Sequence, residues 1–189
     1  PADALLLAKL NAEHATLEGA LSAEKLRGLA KEETKKRENL KLIAQSLMES
    51  GKGVLAIDES AKGLGKRFEK FGIRNSAEMR RKFYELMVTT PRVKETISGV
   101  ILSEETAKMK IGNGQKVLEY VTGHGMIVGI KADKGLMEMA GSDEVHTLGK
   151  DDVAERLRGY YKGGFRFAKW RAAFKIGKDK PGFFAVREN

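Results

Sequence analysis

Val54-Leu55-Ala56-Ile57-Asp58-Glu59-Ser60 is a short apolar run that ends abruptly in charge. The same pattern recurs twice. Ile127-Val128-Gly129-Ile130 runs into Lys131-Ala132-Asp133-Lys134, and Phe165-Arg166-Phe167-Ala168 runs into Lys169-Trp170-Arg171. A strand that buries its body and ends in a charged group points that group at a site. In parallel α/β proteins the site lies beyond the carboxyl ends of the strands. A fourth run, Ile97-Ser98-Gly99-Val100-Ile101-Leu102, reads as another strand.

Helical patterns separate these runs. Ser22 to about Glu49 carries Leu26, Leu29, Leu40, Ile43 and Leu47 at helical spacing, with a charged, solvated middle from Lys31 to Glu38. Gly51 and Gly53 stop it. Asn75 followed by Glu78 offers a capping box, with Ser76 as a rival cap, for a helix burying Met79, Phe83, Leu86 and Met87 and ending before Thr90-Pro91. Gln115 to Thr122 predicts a short helix with Val117, Leu118 and Val121 inward. Asp151 or Asp152 starts another, with Val153, Leu157, Tyr160 and Tyr161 on one face, and Gly163-Gly164 ends it.

Helix and strand alternate four times, which predicts right-handed βαβ units and a parallel sheet. No phosphate-loop or G-x-G-x-x-G signature follows the first strand. The fold class expected is therefore α/β, of the (β/α)8 TIM barrel family, with about the first four βα units present as a partial barrel. Strand period puts Val54, Ala56 and Asp58 on one face, Lys131 and Asp133 on one face, and Phe167, Lys169 and Arg171 on one face. Ala168 and Trp170 should then face covering helices. Asp58, Lys131 and Lys169 can converge at the barrel mouth. A lysine near other cations can serve as acid, base or amine nucleophile, and a neighbouring carboxylate can shuttle its proton. The competing reading of the same residues is an ion-pair network that closes the top of the barrel.

Composition narrows the function classes. The 189 residues suit one domain with a real core, and the absence of cysteine excludes disulfides and cysteine catalysis. His14, His124 and His146 lie far apart, so a histidine metal site is not expected. The net charge of +9 suits anionic partners, but lysine and arginine are interleaved with glutamate rather than clustered with aromatics, which speaks against nucleic acid. No apolar window is long enough for a membrane span. The chain starts at Pro1 without an initiator methionine, and residues 1–20 resemble neither a complete signal peptide nor a transit peptide. Residues 1–21 are expected to be a poorly ordered extension whose true start was lost to processing or truncation, and residues 22–189 the barrel half.

Four stretches carry a family resemblance. Gly51 to Ser60 with Gly65-Lys66-Arg67, Ile97 to Thr106, Gly129 to Gly135, and Phe167 to Arg171 resemble, in order, the first four strands and loops of class I fructose-bisphosphate aldolase. The resemblance runs from about Ser22 to Asn189. It implies a (β/α)8 barrel, a homotetrameric parent, a cytoplasmic setting with a plastid or other organelle as the alternative, and no metal or cofactor. It implies reversible cleavage of fructose 1,6-bisphosphate to dihydroxyacetone phosphate and glyceraldehyde 3-phosphate through a lysine Schiff base. By position, Asp58 handles the proton of the sugar hydroxyl, Lys169 assists carbinolamine formation and dehydration, Lys131 adds positive potential, and Arg171 holds the charge network. Ser60, Lys66 and Arg67 lie near the phosphates of the phosphorylated sugar substrate.

The sequence also departs from that family. Ser60-Ala61-Lys62-Gly63 lacks a second hydroxyl near Gly63, with Lys62 as the substitute. The family's Schiff-base lysine lies on a later strand, so these residues alone are expected to be inactive. The alternative reading is a non-catalytic basic half-barrel that binds polyanions or a filament.

Overall fold

The computed structural model describes residues 23–189. His14 and the expected extension over residues 1–21 lie outside the described residues. The chain divides into two units, residues 1–45 and 46–189. In the first, the described part belongs to helix α1 (Ala23–Leu47), whose described side chains are nearly all exposed. Its charged middle makes at least one pair along the helix, Lys36 with Glu32 at 3.0 Å.

The second unit is built on a four-stranded parallel sheet. The strands are β1 (Gly53–Ile57), β2 (Ile97–Leu102), β3 (Ile127–Lys131) and, after a two-stranded arm of β4 (Leu136–Glu138) and β5 (Val145–Thr147), β6 (Phe167–Lys169). Their spatial order is β1-β2-β3-β6, so β1 and β6 are the edges among the described residues. The register brings the strand ends level. Ile57 pairs with Leu102, Leu102 with Ile130, and Lys131 with Lys169. Between the strands run α2 (Ala61–Glu69), α3 (Ala77–Thr89), α4 (Val93–Thr96), α5 (Glu104–Lys108), α6 (Val117–Gly123) and α7 (Val153–Lys162), and α8 (Phe183–Glu188) follows β6.

The two faces of the sheet differ sharply. Ile57, Val100, Leu102, Val128 and Ile130 point toward the helices and join Leu64, Phe68, Tyr84, Val88, Val117, Val121 and Phe165 in the core. The alternate positions, Val54, Ala56, Gly99, Ile101, Gly129 and Phe167, share the other face. Val54 is 42% exposed there, Ile101 is half-buried, and Phe167 brings the one aromatic ring among the strand residues of this face. A Cβ on Gly129 would fall 2.4 Å from the Phe167 ring, and one on Gly99 would fall 2.4 Å from Leu47 Cδ2. Gly129 thus makes room for the Phe167 ring, and Gly99 for the Leu47 side chain.

Several expectations need correction. Helix α3 is capped by Ser76, whose Oγ accepts from the Met79 amide at 3.1 Å. Asn75 is engaged elsewhere, donating to the Ala61 carbonyl and accepting from Arg80. The buried face of α3 is turned toward Tyr84 and Val88, which leaves Leu86 exposed at its margin. Tyr161 is exposed, with the Arg166 guanidinium 4.8 Å over its ring. Ala168 is exposed rather than covered, and Trp170 is half-buried. Helix α2 and the β4–β5 arm form where no element was expected.

Candidate functional site

The carboxyl ends of β1, β3 and β6 surround a cavity of about 430 Å³ lined by Asp58, Ser60, Lys131, Asp133, Lys169 and Arg171, among others. Each strand body is apolar and ends at this rim, so the sheet register itself sets the heights of the charged groups. The Lys169 ammonium donates to Asp58 Oδ2 at 2.7 Å, joining the two edge strands' ends across the mouth. The Asp58 side chain is 7% exposed and that of Lys169 38%, so the pair is held at the protein boundary with its cation toward solvent.

Lys131 is anchored differently. Its ammonium donates to Asp133 Oδ1 at 2.7 Å and to the Asp133 carbonyl at 2.8 Å. Asp133 Oδ1 also accepts from the Gly135 amide at 3.1 Å, where Gly135 takes a positive φ of 100° that closes the turn. The Asp133 side chain is wholly buried, and its Oδ2 has no hydrogen-bond partner among the described residues.

A second cavity of about 400 Å³ adjoins the first and is lined by Asp58, Ser103, Glu104, Lys131, Lys134, Arg156 and Tyr160 among others. Lys134 and Arg156 share the Asp152 carboxylate at 2.7 and 2.9 Å. Those two hydrogen bonds, Lys134's first, pull the Asp152 pKa from the ordinary 3.8 down to about 2. Arg156 also donates to the carbonyls of Ala132 and Gly149, tying α7 to the β3 exit. Tyr160 donates to Glu104 in a short hydrogen bond, and burial followed by that bond raises its pKa.

The structure brings together Asp58, Lys131, Lys169, Arg171 and Ser60. Arg171 is exposed, and its guanidinium makes no ion pair among the described residues; its carbonyl accepts from Thr147 Oγ1 at 2.7 Å. Ser60 caps α2, its Oγ accepting from the Gly63 amide at 3.1 Å. Lys66 is exposed and outside the lining of either cavity. Arg67 is also outside it, bound to Glu59 at 2.8 Å and 5.8 Å from the centre of the Phe83 ring. Sequence reasoning passed over Asp133 as a site residue, although its i, i+2 spacing from Lys131 was the available signal. It also passed over Arg156, whose i, i+4 relation to Asp152 was the clue.

Among the described residues no group of three or more His, Asp or Glu side chains is arranged to hold a metal ion, and no helix is long and apolar enough to cross a membrane. A larger cavity, about 560 Å³, opens at the opposite rim between Leu55, Met87, Pro91, Val93 and Ile97. Its charged residues, Arg92 and Glu95, are bound to each other.

Comparison with known proteins converges on one family. The sequence model described as "Fructose-bisphosphate aldolase class-I" matches residues 39–189. A probable fructose-bisphosphate aldolase class 1 of Xanthomonas axonopodis pv. citri is 46% identical over 153 residues, which is 80% of this chain and 46% of that protein. The fructose-bisphosphate aldolase of Drosophila melanogaster is 44% identical over 155 residues, 81% of this chain and 43% of its own length. Among solved structures, fructose-bisphosphate aldolase from Plasmodium falciparum, crystallised with TRAP and a small-molecule inhibitor, superposes with a TM-score of 0.75 at 40% identity. The match covers 80% of this chain and 44% of that one. The chain thus spans about half the length of the relatives it matches.

Proposed function

The chain belongs to the class I fructose-bisphosphate aldolase family, and from that premise we propose that residues 22–189 supply the first half of a site for cleaving fructose 1,6-bisphosphate. The observation that carries the reading is the Lys169–Asp58 pair at 2.7 Å, facing a cavity at the strand ends. Carbon–carbon cleavage next to a ketone needs an electron sink, and an iminium formed from a lysine amine is one. Its formation consumes an amine and a carbonyl and releases water, so a proton must reach the departing oxygen. Lys169 is the donor for that dehydration. Cleavage then frees the proton of the sugar hydroxyl, and Asp58 positions or accepts it. Lys131, held by Asp133, raises the local positive potential. Arg171, exposed at the cavity edge, adds a further positive charge facing the same space. Ser60, Lys66 and Arg67 belong to the phosphate side of the same proposal, Arg67 after release from Glu59.

In this reading the iminium-forming lysine comes from a later strand of the family's barrel. Residues 1–189 by themselves therefore do not cleave. The homotetramer, the cytoplasmic setting and an N-terminal extension over residues 1–21 belong to the same proposal.

The test is turnover in the full-length protein. Lys169→Met and Asp58→Ala should each lower cleavage by about 10²–10⁴-fold, the usual range for losing a proton-transfer group, with modest change in melting temperature. Near-normal turnover in either variant returns that residue to a purely structural ion pair. A second arm incubates residues 1–189 with dihydroxyacetone phosphate and borohydride. Near-stoichiometric labelling of Lys131 or Lys169 would contradict their accessory assignment.

A further inference from the structure

Asp58 stands at the point where β1 leaves the sheet. Up to Ile57 the main chain is pinned by pairing with β2, and the last register pair is Ile57 with Leu102. Past that point the ladder supplies no more partners, and buried carbonyls must find others. Two hydroxyls from different helices provide them. Tyr84 of α3 donates to the Glu59 carbonyl at 3.0 Å. Thr106 of α5 donates to the Ile57 carbonyl at 3.3 Å. Both residues are fully buried, Tyr84 at 1% exposed and Thr106 at 0%.

The Glu59 and Ile57 carbonyls can only accept, so the two hydroxyls are the donors. Thr106 has one hydroxyl hydrogen, and it goes to Ile57. The 2.9 Å contact between Thr106 Oγ1 and Ser103 Oγ must then be donated by Ser103, which itself accepts the Thr106 amide at the start of α5. Tyr84 stays protonated across the working range. Burial pushes its pKa up to about 12, and the nearby Glu59 and Glu105 add to the effect. The tyrosine ring is fixed in turn by edge-on packing against Phe83, which packs edge-on against Phe68.

We propose that Tyr84 and Thr106 are positioning residues, which clamp the carbonyls on either side of Asp58 so that its carboxylate stays aimed at Lys169. The clamp acts through the backbone and touches neither the cavity nor substrate. Neither hydroxyl lines the cavity that holds the Lys169–Asp58 pair. A segment gripped at residues 57 and 59 leaves Asp58 only its own side-chain torsions. Without the grip, the strand exit can swing and the 2.7 Å pair across the mouth is lost first. The proposal deepens the reading of Asp58 as a proton-handling group and rests on it for its functional meaning, but its geometry can be tested separately.

The test is competitive acetylation of the lysines with acetic anhydride across pH, read by peptide mass spectrometry on the full chain. Lys169 is the reporter. Lys131, anchored on Asp133, and Lys175, anchored on Asp143, are internal references. Tyr84→Phe and Thr106→Val each remove a hydroxyl and keep the shape. Together they should raise Lys169 reactivity roughly fivefold, the scale of one lost hydrogen bond, with Lys131 and Lys175 unchanged. Thr106→Ser alone, which keeps the hydroxyl, should hold the native value. Asp58→Asn sets the upper limit. If Lys169 stays at its native reactivity in the double variant while Asp58→Asn raises it, the clamp is wrong. A uniform rise of all three lysines also overturns it, since that marks general loosening. If the labelling responds as expected but Asp58→Asn leaves cleavage in the full-length protein intact, the clamp stands and the catalytic reading of Asp58 falls.

Discussion

Gly129 shows how tightly single residues control this site. A methyl group there would enter the Phe167 ring at 2.4 Å, and Phe167 is two residues from Lys169 on the same strand. Gly129→Ala should cost about 1–3 kcal/mol, the usual range for overpacking, and should tilt the end of β6 away from Asp58. Urea unfolding reads the first effect and Lys169 acetylation the second; a native-like result in both would show that the ring swings freely into the open face. Charged residues give a pH signature. Asp152 and Asp143 both titrate at about 2 because lysine or arginine donors hold their carboxylates. A carboxylate whose folded pKa is depressed contributes stability above its unfolded value near 4, and loses it as pH falls toward the folded value. Stability should therefore decline between about pH 4 and 2, more gently in Asp152→Asn and in high salt, since both groups are exposed. A circular-dichroism melt series across that range is the check. At this scale the strand-end charges were legible in sequence because alternation fixes a face. The i, i+2 spacing that pairs Lys131 with Asp133 was legible too, but not the second anchor, the Gly135 amide, which closes on Asp133 Oδ1 through a turn.

Among the elements, the four sheet strands were readable to within a residue or two, since apolar runs bounded by charge or glycine have few other homes. Helix α3 was readable too, apart from its cap. Ser76 wins over Asn75 because Asn75 is drawn to the Ala61 carbonyl and Arg80, contacts between segments that no local rule supplies. Ser76→Ala should cost about 1 kcal/mol, whereas Asn75→Ala should leave the α3 cap intact; chemical denaturation of the two variants separates the roles. Helix α2 escaped notice because Gly63 and Gly65 lower its propensity. Leu64 and Phe68, at i, i+4, nevertheless bury its inner face. Gly65 is held to glycine by Asn75, whose amide nitrogen would lie 2.3 Å from an added Cβ. The β4–β5 arm escaped because its strands are three residues each, too short for a period to show.

Across the whole described unit, the sheet is covered by helices on one face and only partly covered on the other, where Val54 and Ala56 of β1 stay exposed. Those two residues, and the unpaired edges of β1 and β6, leave apolar surface and backbone donors without partners. Parallel edges of this kind promote association. Residues 1–189 produced alone should therefore self-associate and bind a hydrophobic dye, as read by light scattering and dye fluorescence. A monodisperse monomer with a sharp two-state melt would contradict this. The common direction of the strands has a practical corollary. All the reactive ends gather at one rim, while the other rim, around Lys52, Lys94 and His124, collects the strand starts. A surface linker or fluorophore attached at Lys94 would hold the molecule by its base, mouth outward, and leave the cavity at the strand ends clear of the anchor.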